Sequence, residues 1–375
     1  MFAELKNQTM SLDHVTWVEI DLCAYQRNIR KVLSLVGPYV KLFAVCKADA
    51  YGMGSVKIGK AAISAGAYGL AISDPADAEA IRHAGLTAPL LLYACTPPDC
   101  AAEIVEKNVI VTIHDFESLS AFSKLKRKVD VFLKLDCGFG RLGFQQGDWT
   151  SAFAAAHSAT NINVTGLYTH FGHTENSDLM EVQGQLFRQA ANEAETVGLH
   201  DLDLMAASSR VVIGYPDLFF NAVNTGGLLF GVLEHPWCNH ISVDPVLSSV
   251  KSRIIQIKHL PPGAFIGYNE PIASQSAVKI AVVPFGFRNG YPRLPAGGRV
   301  LVGGKFAPII GARGTEHTVI NITGITGAKV GSEVVFLGHQ EDQIISIVEL
   351  SDFTSIPLIE LVPRLSSGSQ RIYLQ

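Results

Sequence analysis

The chain has 375 residues, 48% of them hydrophobic and 17% charged, with a net charge of −4. This composition describes a well-packed globular enzyme with room for two domains and excludes disordered and fibrous classes. No basic tract stands out and no apolar run reaches membrane-spanning length, so neither nucleic acid nor a membrane is an expected partner. Glu4 and Lys6 stand where a signal peptide would need an apolar run, and a cytoplasmic protein is expected.

Residues 15–20 predict a strand, followed by a helix from about Asp21 to Leu35. A rhythm then begins. Short apolar runs near 41–46, 68–72, 89–93, 109–112, 130–135, 163–168, 202–205 and 221–226 predict eight strands. Helical stretches lie between many of them, such as "SVKIGKAAISAG", "DPADAEAIRHAG", "PPDCAAEIVEKN", "HDFESLSAFSKL" and "DLMEVQGQLFRQAANEAETVG". Proline or Asp-Pro opens two of these, and Gly or Asn closes several, as suits helix caps. Eight such units predict an α/β fold, a (β/α)8 TIM-type barrel over 14–240. A doubly wound open sheet is the alternative, weakened by the lack of a Gly-x-Gly-x-x-Gly turn. From about residue 240 the texture changes to Val, Ile and Thr alternating with Gly and Pro. A β-rich C-terminal domain is expected over 241–375, able to pair with residues 1–20, with the boundary near 236–245 in "HPWCNHISVDP".

The six cysteines, at 23, 46, 95, 100, 137 and 238, are scattered. No pair has zinc-site spacing, so no metal is expected, and reduced thiols are the simplest account.

Chemistry in such a barrel gathers at the C-terminal strand ends. The first barrel strand runs Phe43, Ala44, Val45, Cys46 and ends on Lys47. One reading is a strand that surfaces there with its charged head in water. The other is an amine with a lowered pKa, held to form a Schiff base. Lys134 falls at or near the end of the fifth strand, with Arg141 seven residues on. His170 follows the sixth, Ser208 and Ser209 the seventh, Gly226 and Gly227 the eighth. Small residues after the last two strands suit a phosphate cradle, because backbone N–H groups can approach an anion there. A lysine, an imidazole and a phosphate cradle at one mouth suit pyridoxal 5′-phosphate.

These stretches carry a resemblance. "AVCKADAYGMG" resembles "AVVKANAYGHG" of the alanine racemase family, fold-type III pyridoxal-phosphate enzymes. "LKLDCGFGRLGF" resembles its "KxDTGMGRLGF", and "GLYTHF" its histidine segment. "ASSRVV…FNAVNTGGLLFG" resembles "NSAA…FDMVRPGIxLYG", and "VPFGFRNGYPR" resembles "xPIGYADGYPR". The resemblance implies Lys47 as Schiff-base lysine and base, forming a Cα carbanion on a small amino acid. Tyr51, Ser208, Gly226 and Gly227 would hold the phosphate, and His170 and Asn224 would lie by the cofactor ring. Arg141 would face the substrate carboxylate, steadied by Lys134, in many relatives as a carbamate. It also implies a head-to-tail homodimer in which the partner lends Thr315 to the substrate and Glu316 to catalysis.

Four departures stand out. Phe287 replaces the catalytic tyrosine of "GYADG", and Asn224 the arginine that faces the ring nitrogen. "SMD" reads Gly314, Thr315, Glu316, and Ile356 stands where a phosphate-binding tyrosine is expected. The implied activity is therefore an amino-acid racemase with an unfamiliar second base, for which Tyr291, Glu316 and His317 are candidates. The alternative is an aldolase or transaldolase, β-eliminating lyase or decarboxylase on the same scaffold. A non-catalytic cofactor carrier is disfavoured by the C-terminal domain.

Overall fold

The structure is a computed structural model and describes residues 15–94, 97–233, 241–266 and 275–375. Cys95, Cys238 and residues 236–240 of the expected boundary lie outside the described residues. In chain order, β1 (Thr16–Asp21) and the helix Leu22–Val36 precede β2 (Lys41–Val45), β3 (Gly69–Ile72), β4 (Leu90–Leu92) and β5 (Ile110–Ile113). Next come β6 (Val129–Lys134), β7 (Ile162–Tyr168), β8 (Asp203–Ala207) and β9 (Ala222–Thr225).

Strands β2 to β9 close into a parallel barrel, β9 pairing back on β2 with Lys41 opposite Ala222. This is the expected TIM-type architecture. Strands covered on both sides must be apolar throughout, and every residue of β3 and β4 is buried. Glycines admit the large interior rings. A Cβ on Gly166 would lie 2.6 Å from Phe132, and one on Gly69 would lie 3.0 Å from Phe43. Those two rings meet edge-on at 5.9 Å.

Helices link the strands. Asp74 caps Pro75–His83, Asp115 caps Phe116–Ser123 through a capping box, and Asn176 caps Ser177–Val197, which ends at left-handed Gly198. The expected "PPDCAAEIVEKN" helix is shorter, a 3-10 turn Pro98–Cys100 leading into Ala101–Val105. Two helices went unpredicted, Trp149–Ser158 and Ser209–Gly214. This unit comprises Ala24–Ala50 and Gly54–Asp244.

The other unit comprises the chain up to Cys23, Tyr51–Met53 and Pro245–Gln375. Its strands are β10 (Leu247–Arg253), β11 (Gln256–Leu260), β12 (Val278–Val283), β13 (Arg299–Val302) and β14 (Lys305–Pro308). They continue with β15 (Thr318–Asn321), β16 (Glu333–Gln340), β17 (Gln343–Ile345) and β18 (Gln370–Leu374). One sheet runs β14-β13-β16-β10-β1-β18 with β17 on β16, and a second runs β11-β12-β15. Strand β1 thus groups here rather than with the barrel. It lies antiparallel to β10 and parallel to β18, and Glu19 binds the Ser249 hydroxyl at 2.7 Å and Lys251 at 3.0 Å. Two helices, Ile347–Thr354 and Leu358–Ser367, join the expected strands.

Candidate active site

From Leu42 strand β2 is apolar up to the fully buried Cys46, and Lys47 follows at the barrel mouth. There the chain turns left-handed. Ala48, Asp49, Ala50 and Tyr51 sit at φ 53°, 52°, 54° and 55°, and the Ala50 N–H donates to the Cys46 carbonyl at 2.9 Å. Each non-glycine residue in that region costs about 1–2 kcal/mol, so the turn persists only because its surroundings hold it. Lys47 comes off its first residue. Desolvation lowers its ammonium pKa, and Arg141 lowers it further. An amine that must act as nucleophile and base has to shed its proton, and this environment favours that.

Strand β6 ends on Lys134 and enters a loop built around Asp136. One oxygen of its carboxylate accepts the N–H groups of Gly138, Phe139 and Gly140 at 3.0, 2.9 and 3.1 Å. A Cβ on Gly143 would lie 2.5 Å from the Leu135 backbone, so the loop needs glycine there. The loop presents Phe139 and Arg141. The guanidinium lies 4.5 Å over the Phe139 ring, which meets the His170 ring edge-on at 5.0 Å. Burial, with Lys134, Arg141 and Lys47 nearby, pushes the His170 pKa down to about 4. Its imidazole is therefore neutral across physiological pH.

Lys134 is buried, donates to the Leu135 carbonyl at 3.1 Å, and lies 4.9 Å over the Tyr168 ring. An ammonium and a guanidinium are both donors only, and the Phe139 face lies under the guanidinium. Burial pushes the Lys134 pKa down from 10.5 to about 8. Between these values the unfolded chain binds more protons than the folded one, so stability rises with pH across that window. Below pH 8 both states are protonated and the fold carries the full penalty, on the order of 3 kcal/mol. Lys134→Met is accordingly expected to raise Tm more at pH 7 than at pH 10. Scanning calorimetry checks this, and equal shifts at the two pH values would rule out the titration.

At the last two strand ends, Ser208 caps the helix Ser209–Gly214 without a side-chain cap bond. The Ser209 hydroxyl accepts the N–H groups of Gly226 and Leu228, both at 3.2 Å. Asn224 is buried on β9, and the buried Thr225 hydroxyl beside the cradle has no partner. Two N–H groups converging on one oxygen is the donor set a phosphate oxygen requires. With a weakened amine and a neutral imidazole in the same unit, these residues fit pyridoxal phosphate. The sequence places both serines at this strand end, and it is the Ser209 hydroxyl that meets these two N–H groups.

The remaining candidates belong to the other unit. Tyr51 is buried, and its carbonyl accepts the Ser366 hydroxyl at 2.7 Å. Phe287 is 41% exposed and opens the 3-10 turn Phe287–Asn289. Its N–H donates to the Gly314 carbonyl, and the Arg288 N–H to that of Thr315, each at 3.0 Å. Thr315, Glu316 and His317 are exposed, and Glu316 pairs with Arg288 at 2.6 Å. Tyr291 is 1% exposed, and its ring packs on Phe285 and Phe336 with Arg313 at 4.6 Å. Burial pushes its phenol up to about 12, which disfavours the ionised form a base needs. Ile356 spends its carbonyl on the Ser351 hydroxyl at 2.7 Å and has no polar side chain to offer a phosphate. Among the described residues no helix is long and apolar enough to cross a membrane.

Comparison with known proteins agrees with this geometry. Residues 20–234 match the alanine racemase N-terminal domain model, and residues 247–373 match the C-terminal one. The alanine racemase of Halothermothrix orenii is 31% identical over 366 residues, 96% of each chain. That of Methanococcus maripaludis is 29% identical over 97% of this chain and all of its own. Among solved structures, alanine racemase from Bacillus anthracis with bound L-Ala-P superposes with a TM-score of 0.89 at 26% identity, covering 98% and 96% of the two chains. Alanine racemase from the D-cycloserine producer Streptomyces lavendulae gives 0.86 at 28% identity, covering 98% of each. The chain belongs to the alanine racemase family of pyridoxal 5′-phosphate-dependent isomerases.

Proposed function

We propose that the protein racemises a small amino acid, with Lys47 as both cofactor anchor and base. The observation that carries this reading is the Lys47 amine, weakened by desolvation and by Arg141 at a barrel mouth where His170 is neutral. Pyridoxal phosphate, when bound, supplies the electron sink that makes the Cα proton removable. The chain supplies the rest. Lys47 takes the proton from one face. Arg141 pairs with the substrate carboxylate and fixes its orientation. His170 presents an uncharged ring to the cofactor. Ser208, Gly226, Gly227 and Tyr51 hold the phosphate. Asn224 can donate or accept, so it neither forces nor forbids protonation of the ring nitrogen.

The second face is where the chain departs from its relatives. Phe287 carries no proton, and the Glu316 carboxylate is engaged in an ion pair with Arg288. These two facts favour a second reading, a lyase or aldol-type reaction on the same scaffold. Incubating holoenzyme with D- and L-amino acids, with and without aldehydes, and resolving all products by chiral chromatography separates the two. Appearance of the opposite enantiomer supports racemisation. Aldehyde, carbon dioxide or 2-oxo acid without it supports the alternative.

The exposed segment Thr315–His317 is proposed to reach a partner's site in a head-to-tail homodimer. Mixing Lys47→Ala chains with Glu316→Ala chains is then expected to restore activity, because one hybrid site keeps both native residues. A mixture no more active than its parts counts against shared sites. Free thiols at Cys23, Cys46, Cys100 and Cys137 support a reducing compartment such as the cytoplasm.

A further inference from the structure

The left-handed turn that carries Lys47 contains no glycine over Ala48, Asp49, Ala50 and Tyr51, so its conformation must be imposed from outside. Asp49 is its pivot. Its carboxylate accepts the Ser55 N–H at 2.7 Å, and its carbonyl accepts the Gly54 N–H at 2.9 Å. Its own N–H donates to the Asp77 carboxylate at 3.3 Å. Asp77 is itself firmly placed. It is 9% exposed and sits in the first turn of Pro75–His83. There its N–H donates to the Asp74 carbonyl at 3.1 Å, while the Asp74 side chain caps the helix through Ala76. One buried side chain thus ties the centre of the turn to the helix Pro75–His83, while the Asp49 carboxylate ties it to the start of the helix Ser55–Ser64. The arrangement is held against a cost, since burial and the adjacent Asp49 and Asp74 carboxylates all disfavour charge on Asp77.

We propose that Asp77 is a positioning residue for Lys47, its carboxylate locking the left-handed turn that aims the amine into the barrel mouth. The proposal rests on the reading of Lys47 as cofactor anchor. If Asp49 relaxed to a right-handed conformation, its N–H would leave the Asp77 acceptor and Lys47 would swing with the backbone.

The test uses apoprotein reloaded with pyridoxal phosphate. The rate at which borohydride traps cofactor on Lys47 is read by peptide mass, beside circular dichroism for folding. Asp77→Leu is expected to slow capture roughly tenfold, the scale of one lost charge-assisted hydrogen bond. Asp77→Asn, which keeps an acceptor, should stay near wild type. Ala48→Gly added to Asp77→Leu should recover much of the rate, because glycine enters the left-handed region without strain. A residue that only supports its own helix would not be rescued at position 48. Should Asp77→Leu fail to fold, Asp77→Ser gives the same reading, its hydroxyl being too short to reach Asp49. Unchanged capture in these variants, or a loss that Ala48→Gly leaves untouched, overturns the proposal while Lys47 keeps its role. Wild type that never labels on Lys47 overturns both.

Discussion

Lys47→Ala is expected to give a folded protein that no longer holds pyridoxal phosphate covalently and turns over at least about 10²–10⁴-fold more slowly. That range is the usual cost of losing a positioned base, and loss of the covalent anchor adds to it. The structure makes this prediction sharp because the mouth contains a rival. Lys134 also has a weakened amine, with its pKa near 8, but it is only 6% exposed. Its amine is spent on the Leu135 carbonyl and the Tyr168 ring. Lys47, only partly desolvated, stays accessible at the strand end. The visible spectrum, borohydride trapping and peptide mass are the measurements. A yellow Lys47→Ala protein labelled on Lys134 would move the anchor to β6. A wild type that stays unlabelled with cofactor supplied would remove the anchor altogether.

The same contrast shows which parts of the site could be read from sequence. Barrel strands are apolar on both faces, so β3 and β4 appear as short unbroken runs, and the polar residues that end such runs are conspicuous. Lys47, Lys134, His170 and Ser208 stand out in the sequence in that way. The geometry that gives them their chemistry is less local. Ala48 and Ala50 have no preference for the left-handed region, and nothing in "KADAY" announces a turn imposed by an acceptor twenty-eight residues away on Asp77. Phe139 comes under the Arg141 guanidinium because the Asp136 carboxylate folds the loop back. Either serine of the pair at 208 and 209 could meet the strand-end N–H groups, and in the structure the Ser209 hydroxyl does so.

Helices were missed where small or β-like residues hid the period. Trp149, Ala152, Phe153 and Ala156 are all buried at helical spacing, but alanine gives that pattern little contrast. In "LIELVPRLSS" an internal proline and a run of Leu, Ile and Val obscure the helical period, although Leu358, Leu361, Val362 and Leu365 line one buried helical face.

The double variant Phe287→Tyr with Asn224→Arg is expected to raise racemisation well above wild type, by up to about 10²–10⁴-fold if the second face lacks a base. With Lys47 as the only assigned base, proton exchange in the wild type should be confined to one face of Cα. Solvent deuterium should then enter one enantiomer faster than the other enantiomer appears. Phe287 is 41% exposed at the start of its turn, and its backbone bond to Gly314 does not depend on the ring, so a hydroxyl can be added there without disturbing a packed core. Asn224 is different. It is 6% exposed in a unit where Lys47, Lys134 and Arg141 already crowd His170 with positive charge. Asn224→Arg alone should therefore lower stability and gain little, because a buried guanidinium needs an acceptor. The family pattern that the chain resembles carries the arginine and the tyrosine together, so each substitution alone restores only part of it. The two substitutions should accordingly couple, the pair exceeding the product of the singles. Chirally resolved deuterium incorporation for wild type, each single variant and the double variant decides the matter. Brisk wild-type racemisation with equal exchange into both enantiomers would mean that another residue already serves the second face, and that Phe287 and Asn224 leave the family's reaction unchanged.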